Sequence, residues 1–238
     1  MSSLFNNRRR PLQEAIGQLL ILASFIVAFV YGCGWYPADW LWPVIVKGSA
    51  VGLLAVFVLM NLQSINHLLL FLALAASVGG DVLLEVPHES SFTRGLTSFL
   101  VAHIMFILLY AKNRMLAEDI TALRVRIAAL MWALAAVSAY FLYPYLGEMA
   151  MPVITYSVVL AAMATTALFS KFPVKLVGVG ALLFVLSDAV LGARQFGTVP
   201  EYTSYIVWAA YYLAQLLMTL GVILTDERRT NYGGYRFD

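Results

Sequence analysis

Two aspartates, Asp81 in the run Ser-Val-Gly-Gly-Asp-Val-Leu-Leu-Glu and Asp188 in Phe-Val-Leu-Ser-Asp-Ala-Val-Leu-Gly, sit inside stretches otherwise suited to lipid-buried helix. An ionised carboxylate at membrane depth costs several kcal/mol unless it is paired, hydrated or neutralised, so each is a candidate functional group. Two carboxyl groups sharing one buried site can divide the work of acid–base catalysis, one carrying a proton and the other a negative charge. For either aspartate alone the competing reading is a structural ion pair with Lys47 or an arginine.

The elements that must position them follow from composition. Hydrophobic residues make up 62% of the chain and charged residues 12%, and the mean hydropathy is +0.83. Such a chain belongs in a bilayer. A helix needs about 20 apolar residues to cross the hydrocarbon core. Eight such stretches are expected, at about 12–31, 40–60, 65–85, 92–111, 123–143, 151–170, 174–192 and 202–224. The loops between them are short, so residues 1–238 read as a single polytopic domain, an all-α membrane protein folded as a compact bundle of eight transmembrane helices.

Basic residues stay on the cytoplasmic side of a membrane. With the amino terminus inside, the inner segments hold Arg8, Arg9, Arg10, Lys112, Arg114, Arg124, Arg126, Lys171, Lys175, Arg228, Arg229 and Arg236, leaving only Lys47, Arg94 and Arg194 of the 15 Lys and Arg elsewhere. Both termini are therefore expected to be cytoplasmic, in a multi-pass protein of a bacterial inner membrane. The net charge of +2 reflects this bias and argues for no nucleic-acid partner. The basic start and first apolar run lack a small-residue cleavage site and read as a first membrane helix. Cys33, the only cysteine, has no partner for a disulfide, and Trp35, Tyr36, Trp40 and Trp42 around it form an aromatic belt.

On this topology Asp81, Glu85 and Asp188 fall toward the outer ends of their helices, with Lys47, His103, Tyr156, Tyr211 and Gln215 in the outer half or near mid-depth. Helical spacing puts Ser77, Asp81 and Glu85 on one stripe, and Tyr211 and Gln215 on another. Gly79 and Gly80 allow a neighbouring helix or ligand to approach closely. Arg194, one to two turns beyond Asp188, is placed to pair with a carboxylate or hold a phosphate, and Arg94 is a second candidate for the phosphate. Plainer readings stand beside these: His103 as a satisfied interior histidine, Tyr211, Tyr212 and Gln215 as interhelical glue, and Glu85, His88 and Glu89 as solvated groups at a helix end. Little comparable is expected at the inner end, where Asn61, Gln63, Asn66 and His67 mark a short turn. His67, His88 and His103 fall at different depths, which argues against a histidine metal site. No serine-hydrolase elbow, zincin, nucleotide-binding loop or Cys-x-x-Cys pattern occurs, so neither metal nor cofactor is expected.

The segments GGDVLLEV, FTRGLTSFLVAHIMFILLY, PVITYSVVLAAMATTAL, GALLFVLSDAVLGARQF and WAAYYLAQLLMTLG together resemble the YhhN family of integral membrane proteins, whose characterised members are lysoplasmalogenases. The likeness runs from the second stretch to the eighth; where the family usually reads Lys-Pro, this chain reads Lys47-Gly48. The resemblance implies a hydrolase that cleaves the vinyl ether of a lysophospholipid substrate to a fatty aldehyde and a glycerophospho-ethanolamine or glycerophosphocholine. Vinyl ether hydrolysis calls for a proton donor and a carboxylate to stabilise the resulting cation or activate water. Asp81 and Asp188 are then the expected catalytic pair, in a site toward the outer leaflet, and Lys47, Ser77, His103, Tyr156, Arg194, Tyr211 and Gln215 are expected to shape it or bind substrate. A small-molecule or lipid transporter using the carboxylates for coupling, and an intramembrane aspartyl protease, remain open on the residues alone.

Overall fold

The computed structural model of the chain describes residues 11–197 and 199–233, with side chains from 12 to 197 and 199 to 226. Arg8, Arg9, Arg10 and Arg236 lie outside the described residues, as do the side chains of Arg228 and Arg229. The helices are α1 (Pro11–Cys33), α2 (Leu41–Met60), α3 (Ile65–Glu85), α4 (Ser91–Lys112), α5 (Ala122–Leu146), α6 (Ala150–Leu168), α7 (Val179–Phe196) and α8 (Thr203–Gly233). A π-helical turn, Val174–Gly178, leads into α7.

Seven helical stretches among the described residues are long and apolar enough to cross a membrane. The fifth of these, Ala122–Leu168, spans 47 residues and contains both α5 and α6. They are joined at Gly147, whose φ of 51° lies where only glycine is at ease, and a short 3₁₀ turn follows. The protein is thus a multi-pass helical membrane protein. Its outward surface carries exposed Leu19, Phe25, Phe29, Leu72 and Leu108, the solvation expected of side chains that face lipid.

Local chemistry sets the helix ends. Ser64 caps α3 by accepting from the His67 amide, and α3 ends ahead of Pro87, which forces its predecessor Val86 into extended backbone. Asn113 ends α4 and donates its side-chain amide back to the Leu109 carbonyl. α7 runs on to Phe196 and α8 to Gly233, past the ends that hydropathy marks, because both continue as helix through polar residues.

Neighbours in sequence pack against one another from α1 to α4; α6 packs on α4 and α7, and α8 returns to touch α7, α1, α2 and α3. α5 stands outside this ring, packed chiefly on α6. The α3–α4 contact is close because Gly80 faces the Phe99 ring and Gly79 faces Ser98, whose hydroxyl donates to the Ala76 carbonyl at 2.7 Å.

At the Ile65 end of α3, where α4 ends and α8 passes, Asn61, Asn66, His67 and Asp226 are buried, a polar cluster where the sequence leads one to expect little comparable to the site. The Asp226 carboxylate accepts from Ser64 at 2.7 Å and from Asn66 at 3.0 Å, and His67 lies 3.5 Å from it. Lys112 Nζ and Asn113 Nδ2 donate to the side-chain oxygen Asn66 Oδ1 at 3.1 and 2.9 Å. α8 brings this about by continuing as helix past Leu224, the end of its apolar run, and so carrying Asp226 over the Ile65 end of α3.

Two outcomes follow from this packing. A Cβ on Gly80 would sit 2.5 Å from the Phe99 ring, so Gly80→Val is expected to lower stability by about 1–3 kcal/mol through overpacking, read as a lower unfolding midpoint in detergent. Asp226→Ala removes the acceptor that Ser64 and Asn66 share and is expected to destabilise by about 1–3 kcal/mol, measured in the same assay.

Candidate active site

α3 and α8 meet through the two predicted stripes. Tyr211 Oη donates to Asp81 Oδ2 at 2.6 Å, and one turn deeper Gln215 Nε2 donates to Ser77 Oγ at 2.9 Å. Ser77 passes its own proton to the Ala73 carbonyl. These residues are buried, and Asp81 is 1% exposed. Asp81 Oδ1 has no hydrogen-bond partner among the described residues. Ser77 and Gln215 are not on the wall of the cavity described below; they support Asp81 and Tyr211 from beneath.

Asp188 on α7 is held from the other side. Tyr156 Oη on α6 donates to its Oδ2 through a short bond, and His103 Nε2 on α4 lies 2.9 Å from Tyr156 Oη and 3.6 Å from Asp188 Oδ2. Tyr156 has a single proton and gives it to Asp188, so its contact with His103 requires His103 to donate from Nε2. His103 Nδ1 is then the lone-pair nitrogen, consistent with its lack of a hydrogen-bond partner among the described residues. His103 is fully buried between the Tyr156 and Phe184 rings.

Both aspartates line one cavity of about 570 Å³. It lies at one end of the bundle, between α3 and α4 on one side and α7 and α8 on the other, with the end of α1 and Lys47 of α2 completing it. Its depth can be read from helix rise: Asp81 is four residues before the end of α3 and Asp188 eight before the end of α7, roughly 6 and 12 Å along their axes. Phe99 forms part of the floor, and Tyr31 and Trp208, with ring centroids 4.4 Å apart, form part of the wall.

The rim corrects several expectations. Neither aspartate pairs with a lysine or arginine among the described residues. Lys47 Nζ instead meets Glu85 Oε1 at 2.8 Å, and the same oxygen accepts from Tyr31 Oη at 2.6 Å. Glu85 is therefore engaged and partly buried, while His88 and Glu89 are exposed as expected. The helix-end reading failed because α1 and α2 cover the last turn of α3. Arg194 lines the cavity but bonds to the Glu201 carbonyl at 3.0 Å and Thr203 Oγ1 at 2.9 Å, not to a carboxylate. Arg94 is exposed and does not line it. Tyr31, Tyr36, Ser187 and Trp208 were not anticipated; Tyr36 and Trp208 differ from belt or packing aromatics only in facing the cavity. Burial, and secondarily the Glu85 carboxylate, push the Tyr36 hydroxyl up from its ordinary range, so it remains a proton donor at neutral pH.

The arrangement is one that can move a proton at one carboxyl and hold negative charge at another within a confined space next to lipid. The chain is similar to known proteins over most of its length. Residues 42–222 match the YhhN family, a segment that runs from α2 into α8 and includes both aspartates and their tyrosines. A lysoplasmalogenase of Mycobacterium bovis is 35% identical over 161 residues, 65% of this chain and 60% of that protein. Lysoplasmalogenase TMEM86B of Homo sapiens is 30% identical over 217 residues, 88% of this chain and 89% of that protein. Lysoplasmalogenase TMEM86A of Bos taurus is 28% identical over 172 residues, 68% of each chain. The chain thus spans less than two thirds of the mycobacterial relative's length and most of the human one's. No solved structure gives a significant match. With the family match covering most of the membrane helices and the human relative nearly the whole chain, this protein belongs to the YhhN family.

Proposed function

We propose that this protein hydrolyses the vinyl ether bond of lysoplasmalogens, with Asp81 as proton donor and Asp188 as the ionised partner. The observation that carries the reading is the pair of carboxyl groups on one cavity, each addressed by a tyrosine from a neighbouring helix. The relatives named lysoplasmalogenase supply the substrate class.

The roles are assigned from the hydrogen bonds. Asp188 receives the Tyr156 proton, has His103 close behind, and is the more exposed of the two, with 10% of its side chain accessible. That environment suits a carboxylate. Asp81 is more deeply buried, has one neutral donor, and presents a second oxygen with no donor among the described residues. A carboxyl in that setting is more cheaply held as the neutral acid.

The reaction then runs in three steps. Asp81 delivers its proton to the β carbon of the alkenyl chain, leaving an oxocarbenium ion across the adjacent carbon and the ether oxygen. The Asp188 carboxylate stabilises that cation and takes a proton from the water that adds to it. The hemiacetal so formed collapses: its hydroxyl proton leaves, the ether oxygen is protonated, and a fatty aldehyde and the glycerophospho product separate. One water is consumed, and the Asp188 proton returns to Asp81 by way of product or solvent. Arg194 at the rim suits the phosphate of the head group, because its contacts with Glu201 and Thr203 use Nη1 alone among the described residues.

The reading places this end of the bundle at the outer leaflet, with eight crossings and both termini cytoplasmic. It counts α5 and α6 as separate crossings, since each exceeds or approaches the required length and they pack against one another. A carrier would need access to the carboxylates from both sides, whereas the other end of α3, α4 and α8 is filled by the Asp226 network.

Purified protein in detergent should release aldehyde from a lysoplasmalogen and leave the ester-linked lysophospholipid intact. Asp81→Asn and Asp188→Asn are each expected to lower the rate by about 10²-fold or more, with unchanged elution on size exclusion; full activity in both variants would sink the mechanism. Sidedness can be read from Cys33, which is exposed at the same end as the cavity. A membrane-impermeant maleimide should label it in right-side-out vesicles, and labelling only after permeabilisation would reverse the topology.

A further inference from the structure

Lys47 and Asp81 stand on the same cavity wall, yet the ammonium group goes to Glu85. Asp81 and Glu85 are four residues apart on α3, hence on one face and about 6 Å apart along the axis. A lysine on a flexible four-carbon stem can choose between two such carboxyls. Two features bias the choice. Glu85 Oε1 is fixed by the Tyr31 hydroxyl at 2.6 Å, so α1 holds the carboxylate at the rim. Lys47 Nζ also lies 5.6 Å from the centre of the Tyr31 ring, a cation–π distance.

The choice matters because an ammonium beside Asp81 would stabilise its ionised form and consume the proton the reaction needs. The titratable groups that face Asp81 are Tyr211 from α8, Asp188 from α7, Glu85 on its own helix, Lys47 from α2 and Tyr31 from α1. Of these only Lys47 is a cation. Paired with Glu85 it forms a unit of no net charge, and Asp188 is left as the single uncompensated negative group in the cavity.

We propose that Glu85 is a positioning residue whose task is to hold Lys47 at the rim, away from Asp81, so that Asp81 remains a neutral acid. The proposal rests on the assignment of Asp81 as proton donor under Proposed function. It makes the Lys47–Glu85 pair a specificity device for proton placement and not a contribution to stability. Buried ion pairs replaced as a whole by neutral groups are often tolerated, whereas removal of one partner strands a charge.

The test is a double-mutant cycle on the full-length protein in detergent, following aldehyde release from a lysoplasmalogen, with kcat and KM determined separately. E85Q should lower kcat by about tenfold or more with a smaller change in KM, because the stranded lysine turns to Asp81. Adding Lys47→Met to E85Q removes the stranded cation and should raise kcat again by about tenfold, to the level of K47M alone. A merely structural role for Glu85 would not produce that recovery. Wild-type kcat in E85Q, or a double variant no faster than E85Q, overturns the proposal. Should E85Q not fold, Glu85→Ser, which also removes the carboxylate that pairs with Lys47, takes its place with the same two readings. D81N run alongside separates the levels: activity in D81N sinks the proton-donor assignment itself, whereas an inactive D81N with a fully active E85Q sinks only the role of Glu85.

Discussion

A carboxyl group withdrawn from water into a helix bundle must find donors or give up its charge, and around this cavity that demand decides which helices touch. Tyr211 crosses from α8 to Asp81, and Tyr156 crosses from α6 to Asp188. Each contact ties together two helices beside the shared cavity. Below them the Gln215–Ser77 and His103–Tyr156 bonds repeat the tie one layer deeper. The polar groups thus form two short ladders facing a shared space, and the apolar packing is arranged around them. Leu70, Leu74, Phe106 and Met218, all fully buried, fill the bundle on the side of the ladders away from the cavity.

α8 is the element through which these constraints combine. It is the most enclosed of the candidate spans, with 61% of its apolar window buried, and it contacts the helices on both sides of the cavity. Gly180 and Gly221 let α7 and the π turn approach it at backbone distance, since a Cβ on either would meet side-chain or backbone atoms within 3 Å. Its cavity-side half contributes Tyr205, Trp208 and Tyr211. Its opposite end reaches Ser64 and Asn66 through Asp226. A shift of this one helix would therefore be felt at both ends of α3.

Much of this was legible in the sequence, and the gaps have physical causes. α3 came out at its true bounds because Ser64 and Pro87 punctuate it, whereas α7 and α8 outran hydropathy, which cannot see a helix that continues through Arg194 and Gln195 or through Asp226. Asp81 with Ser77, and Tyr211 with Gln215, were visible because residues four apart share a face. The His103–Tyr156–Asp188 chain draws on three helices, and sequence reports depth along a helix far better than the direction in which a side chain points. Glu85 is read as solvated because an acidic residue at the end of an apolar run looks so until a neighbouring helix is known to cover it. Arg94 is exposed and does not line the cavity.

α5 stands apart from all of this. It buries only Ala128, Met131 and Leu146, and turns Leu130, Trp132, Leu134, Val137, Tyr140 and Phe141 outward. Its main neighbour is α6, and it gives no residue to either polar ladder. A helix so placed meets its surroundings mainly through apolar side chains and touches the rest of the bundle along one seam, so what it must satisfy is length and hydropathy. Fit to the membrane and chemistry at the cavity are therefore physically separable demands in this bundle, carried by different helices.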